Sequence, residues 1–261
     1  MQWVEANGAS LRCEVSGAGK ETVVLIHELG GSLDSWDLTL PAFQDRFRVL
    51  RYDLRGFGMS EKTRGALSID ILNGDLVALL DALGIEGPCH VVGIALGGGI
   101  ALGFGIGHPE RVKRLVATSP AIGRNAPEVH AGLMKRAETV EREGMRAVVD
   151  SSLDRSFPEE IRSAVVRFPA YRQRWMTNDP YGFAAINRML AGMELEGDLG
   201  RITSPTLVIG GQRDFILPPK VIEPVAAAIP GAVYQELDTG HFMHVQTPEL
   251  FLDSVLPFLS A

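Results

Sequence analysis

Two titratable side chains follow short apolar runs in the second half of the chain: Asp214 after Thr206-Leu-Val-Ile-Gly-Gly-Gln-Arg, and His241 after Leu237-Asp-Thr-Gly. A histidine oriented by a carboxylate is a general base, because the acid fixes the imidazole tautomer and stabilises the imidazolium formed when the ring takes a proton. Such a base needs a group to deprotonate, and the segment His90-Val-Val-Gly93-Ile-Ala95-Leu-Gly97-Gly-Gly99 offers its place. Glycine two positions to either side of residue 95 predicts a sharp strand-to-helix turn, since side chains at the flanks would clash across it. Serine would complete that turn as a nucleophile, and this chain has Ala95 instead. Asp238 and His244 are the rivals for the acid and base roles. Asp238 lies so close to His241 that a turn role suits it better, and His244 falls in the helical turn that follows. No metal is expected on His241 and His244, because no third ligand cluster accompanies them.

The elements that must bring these positions together are legible as periodicities. Trp3–Ala6, the pair Asn7-Gly8, and the alternating run through Leu11, Cys13 and Val15 predict an edge hairpin closed by a type I′ turn. Strands are then expected at Thr22–His27, Arg48–Asp53, Cys89–Ile94, Val112–Ser119, Thr206–Gly210 and Val233–Leu237. Between them, Leu72, Leu76, Leu79, Leu80 and Leu83 form an apolar stripe from the cap Ser68 to the stop Gly84. A last helix starts at Thr247-Pro248-Glu249. Strand and helix in alternation imply right-handed crossovers and a mostly parallel sheet, with its ligand crevice at the strand C-terminal ends. The alternation lapses between residues 122 and 198, where helical patterns follow one another, so a helical cap is expected there, inserted into a core made of residues 1–121 and 199–261.

Composition bounds the function. The 261 residues are 46% hydrophobic and carry a net charge of −7, enough to bury a full core and of the wrong sign for nucleic acid or anionic lipid. The uncharged run from Val91 to Gly107 contains seven glycines, each costing about 1 kcal/mol relative to Ala in a helix, so it is read as strand, turn and helix instead of a membrane span. Met1–Ser10 has neither a basic nor an apolar signal region, and Cys13 and Cys89 both fall in predicted strands; a cytoplasmic protein with reduced thiols is expected.

With its order of elbow, acid and histidine, the chain resembles the α/β-hydrolases over essentially its whole length. That resemblance implies an eight-stranded α/β fold with helices on both faces, a triad at position 95, Asp214 and His241, and no cofactor. His27-Glu28-Leu29-Gly30-Gly31 resembles the family's oxyanion loop, which implies that the N–H groups of Leu29 and Leu96 hold the developing anion. Glu28 replaces the usual glycine and must point away if that assignment is right. Arg51–Ser60 is a further family hallmark, read here as a structural turn with an internal Asp–Arg contact.

Within the family, Gly144-Met145, Asp150, Phe157, Asp179-Pro-Tyr-Gly-Phe-Ala184, Leu195, Asp198-Leu199, Ile202 and Pro205–Gly210 resemble 3-oxoadipate enol-lactonases. This implies hydrolysis of a small ester or lactone. Substrate contacts are expected from Glu28, Trp175 and Phe242, and from cap arginines Arg124, Arg174 and Arg188, since a carboxylated substrate would need local cations. A homodimer is left open. A C–C bond hydrolase of aromatic degradation and a non-catalytic ligand-binding relative are the alternatives. Ala95 admits no acyl-enzyme. A serine deliberately exchanged to trap substrate, a natural binding protein, and a reaction in which His241 activates water are the three explanations. The first is preferred, because elbow, acid and histidine are all retained.

Overall fold

Asn7 and Gly8 adopt φ values of 50° and 73°, the two left-handed residues that a type I′ turn requires. In the computed structural model, which describes residues 1–123, 126–162 and 167–261, they join β1 (Gln2–Ala6) to β2 (Ala9–Ser16) as an antiparallel hairpin at the sheet edge. The chain continues through β3 (Thr22–Ile26), α1 (Leu40–Gln44), β4 (Arg48–Tyr52), α2 (Ile69–Ala82), β5 (Cys89–Ile94), α3 (Leu96–Gly107) and β6 (Val112–Thr118). After the cap come β7 (Thr206–Gly211), α9 (Pro219–Ala227), β8 (Val233–Leu237), α10 (Met243–Gln246) and α11 (Pro248–Ser260). The eight strands form one sheet in the order β1-β2-β4-β3-β5-β6-β7-β8. Only the pairings of β2 with β1 and β4 are antiparallel. Helices cover both faces, so the central parallel strands are continuous apolar runs: Val23, Val24, Leu25 and Ile26 on β3, and Val91 and Val92 on β5, are all buried.

Local chemistry sets the helix ends. The Ser68 hydroxyl accepts from the Ile71 N–H at 3.2 Å, Leu72, Leu76, Leu79 and Leu80 are buried against the sheet, and Gly84 ends the turn at φ 64°. Among the described residues, five α-helices lie between β6 and β7: α4 (Pro127–Glu143), α5 (Arg146–Ser156), α6 (Glu159–Arg162), α7 (Phe168–Met176) and α8 (Pro180–Gly192). They form the cap, with α4 packed along α8. Among the described residues no strand interrupts them, and no helix is long and apolar enough to cross a membrane.

The Arg51–Ser60 turn departs from expectation. Asp53 is its hub, accepting from the backbone N–H groups of Leu33 and Met59 at 2.7 Å each. Its cationic partner, however, is Arg12 of β2 at 3.3 Å, a residue outside the turn. Arg55 instead binds Asp75 of α2, and Arg51 binds Glu14 and Asp37. The hairpin edge is thereby tied to the turn by charge, a partnership between distant segments that leaves no local pattern. Cys13 and Cys89 are buried and unpaired.

Candidate active site

The elbow places residue 95. At the end of β5 the backbone must reverse into α3 within one residue, and Ala95 does so at φ 53°, ψ −107°. The conformation is held from both sides: the Ala95 N–H donates to Thr118 O at 2.9 Å, and its carbonyl accepts from Gly99 and Ala121 at 3.0 Å each. A Cβ at Gly93 would strike the Gly97 carbonyl, and one at Gly97 would strike the Ile26 carbonyl, so both flanks must be glycine.

Asp214 follows β7 and His241 follows β8, neighbouring parallel strands, so their loops emerge side by side. Asp214 Oδ1 accepts from the N–H groups of Ile216 and Leu217 at 2.8 and 2.9 Å, which fixes the carboxylate. Its Oδ2 lies 2.7 Å from His241 Nδ1. Both side chains are buried. Burial alone would raise the Asp214 carboxyl, but the charge and hydrogen bond of His241 and the Leu217 N–H outweigh it and hold it below the usual range. With Nδ1 committed to the acid, Nε2 is the ring nitrogen left for chemistry. Gln246 fixes the next residue: its Oε1 accepts from Phe242 N at 2.9 Å while its Nε2 donates to Ser156 O of the cap at 2.8 Å.

A cavity of about 900 Å³ lies between core and cap. Leu29, Ala95, Leu96, Trp175, His241 and Phe242 all line it, so position 95, the Asp214-bound histidine and both expected oxyanion donors share one wall system. Leu96 opens α3, where its N–H has no intrahelical acceptor, and the Leu29 N–H has no protein acceptor among the described residues. Asp238 pairs at the surface with Arg213, and His244 sits in α10 behind the site.

Three expected contacts are corrected. Glu28 is fully buried and is not in the cavity wall: its Oε1 accepts from Ser35 Oγ and Tyr171 OH, both at 2.9 Å, and its Oε2 is 3.2 Å from His244 Nε2. It points away because those groups behind the loop solvate its charge. Arg188 faces a separate surface cleft and is paired with Glu141 at 2.6 Å. Arg174 also lies outside the cavity wall and donates to Ser35 Oγ at 3.3 Å. Arg124 lies outside the described residues. Among the described residues, the arginines in the cavity wall are Arg136 and Arg155, which sequence reasoning missed. The available signal was position: Val129, Gly132, Leu133 and Arg136 share one face of α4 at spacings of three and four, and all four line the cavity.

A family model described as alpha/beta hydrolase fold matches residues 21–248. A relative from Caulobacter segnis, provisionally named as the carbamate hydrolase RutD, is 30% identical over 249 residues, covering 93% of this chain and 92% of its own. 3-Oxoadipate enol-lactonase 1 of Acinetobacter baylyi is 27% identical over 97% of this chain and 94% of its own. The crystal structure of the enol-lactonase from Burkholderia xenovorans superposes with a TM-score of 0.94 at 30% identity, covering all of both chains.

Proposed function

The chain belongs to the alpha/beta hydrolase fold family, and from that premise we propose that its cavity receives a small ester or lactone for hydrolysis at the acyl carbon. Position 95 is the nucleophile's seat, His241 the base, Asp214 its orienter, and the Leu29 and Leu96 N–H groups the oxyanion donors. The observation that carries this reading is the 2.7 Å contact from His241 Nδ1 to Asp214 Oδ2, made at a cavity whose wall also contains Ala95.

A serine at 95 would give its proton to His241 Nε2 as Oγ attacked the acyl carbon. The resulting oxyanion would be held by the two backbone donors, and the histidine would then protonate the leaving oxygen. Alanine has no oxygen to attack with, so the covalent route is closed in this chain. What remains is the cavity, the oxyanion donors, and a base able to take a proton from water, a set that supports ligand binding and at most slow direct hydrolysis.

The test compares the unaltered chain with Ala95→Ser on para-nitrophenyl acetate, an enol-lactone and an aryl carbamate, the last because of the name its Caulobacter relative carries. Burst-phase release of para-nitrophenol by Ala95→Ser, absent from the unaltered chain, is the expected result. A correctly folded Ala95→Ser protein with no turnover on any of the three overturns the hydrolase reading, and tight binding without turnover in either form would instead make this a binding protein.

A further inference from the structure

Among the described residues, three that are not glycine adopt a left-handed backbone: Asn7, Ala95 and Ser119. Asn7 makes the hairpin turn and Ala95 the elbow. Ser119, at φ 41° directly after β6, belongs to neither. A strained backbone of this kind persists only where the surroundings impose it, and it gathers at functional sites.

The bend is tied to residue 95. Thr118 O accepts from the Ala95 N–H at 2.9 Å and the Ala121 N–H donates to Ala95 O at 3.0 Å, so the segment on either side of Ser119 clasps both backbone groups of Ala95. The Ser119 N–H itself donates to Ile209 O of β7 at 2.8 Å. β6 lies between β5, which leads to position 95, and β7, which leads to Asp214, and Ser119 stands where the two routes meet.

Its side chain is fully buried, and its Oγ makes no well-aligned hydrogen bond. The acceptor within its reach is Asp214: burial raises that carboxyl, and His241, the Leu217 N–H and the Ser119 hydroxyl all pull it back down. The carboxylate has room for this donor. Oδ1 takes two backbone N–H groups, whereas Oδ2 takes only the bond from His241 Nδ1 among the described residues. Hydrogen bonds at such sites are often long or poorly aligned in the free protein and tighten once a ligand is seated.

We propose that Ser119 is a positioning residue for the acid: its hydroxyl donates to Asp214 Oδ2, and its bend holds that carboxylate and the elbow at residue 95 in one fixed relation. Ser119 neither touches substrate nor gives up its proton. By occupying the lone pair that His241 leaves free, it keeps the carboxylate ionised and turned toward the ring. The catalytic consequence rests on the hydrolase reading above, whereas the contact with Asp214 does not.

Three substitutions separate hydroxyl from bend. Ser119→Ala removes the hydroxyl and keeps the strain, Ser119→Gly removes both, and Ser119→Asn tolerates the left-handed backbone and restores a donor. In the unaltered chain, carboxyl-carbon NMR follows the titration of Asp214. Its midpoint is expected to rise by about 1 pH unit in Ser119→Ala and Ser119→Gly and to return most of the way in Ser119→Asn. In the Ala95→Ser background, kcat for para-nitrophenyl acetate is expected to fall about tenfold in the first two, with KM within about twofold, and to recover in Ser119→Asn. A purely structural role would instead make Ser119→Gly the better protein, with a higher urea midpoint, unchanged kcat and an unmoved Asp214 titration, and that result overturns the proposal. If Ala95→Ser turns over no ester, the hydrolase reading fails and the titration alone decides: an unmoved midpoint in both Ser119→Ala and Ser119→Gly overturns the contact, and a raised one upholds it.

Discussion

Tyr171 on the cap donates its hydroxyl to Glu28 on the loop after β3 at 2.9 Å, joining residues 143 positions apart. The loop that presents the Leu29 N–H is therefore anchored to the cap from behind. Asn178 adds a second tie, its Nδ2 donating to Gly30 O at 2.9 Å. Burial would raise the Glu28 carboxyl, but the neighbouring imidazoles of His244, 3.2 Å from Oε2, and of His27 outweigh it and bring it from 4.5 to about 2.

A depressed carboxyl contributes stability that is fully present above its unfolded value and is lost as pH falls through the folded one, so this contribution should fade between about 4.5 and 2. Glu28→Gln is expected to lower the urea midpoint at neutral pH and to flatten the acid dependence of stability in that window. Asp214 leaves some dependence behind, since it is shifted in the same direction. The carboxylate accepts from the Ser35 and Tyr171 hydroxyls, and weakening the satisfaction of those buried donors costs about 1–3 kcal/mol. A midpoint equal to that of the unaltered chain would refute the anchor.

Gly30 adopts φ 83°, and a Cβ there would collide with the Trp175 indole. Gly30→Ala combines backbone strain with overpacking, and a destabilisation of about 1–3 kcal/mol is expected. The readouts are thermal unfolding and, in the Ala95→Ser background, loss of para-nitrophenyl acetate turnover as the loop and α7 are forced apart. Unchanged unfolding and turnover would mean that the cap moves aside freely.

In that same background, Asp214→Asn should reduce kcat by roughly 10⁴, because an amide keeps the geometry but no longer holds the required tautomer or stabilises the imidazolium. Asp214 is held below the ordinary carboxylate range, so the parent activity should not register its protonation until the pH has dropped below that range. A pH–rate profile for the pair checks both statements, and a loss of only a few fold would remove Asp214 from the mechanism.

Arg188→Ala provides the contrast. The Arg188–Glu141 pair is partly exposed, and such pairs contribute about 0–1 kcal/mol. Stability within that margin and, in the Ala95→Ser background, unaltered turnover of para-nitrophenyl acetate are expected. A collapse of that turnover would return Arg188 to the substrate's side.

These contrasts mark what could be read from the chain. The eight strands, the Asn7-Gly8 turn, the Ser68–Gly84 helix and the elbow were visible because each depends on spacing within a few residues. The pairing of Asp214 with His241 was visible because both follow strand ends. The cap chemistry was harder, since a helix covered with arginines gives no composition cue as to which of them faces inward. Arg188 was chosen for its type, whereas Arg136 is distinguished by standing in register with Val129 and Leu133. Glu28, His244 and Tyr171 meet only in the folded chain, and no local pattern announces a contact that spans three segments.

Ala95 retains a left-handed backbone at φ 53°, a conformation that costs a non-glycine residue about 1–3 kcal/mol. Serine would inherit the same bend, so an Oγ added at this position would enter a backbone already turned to present it, with no rearrangement of the main chain to make first.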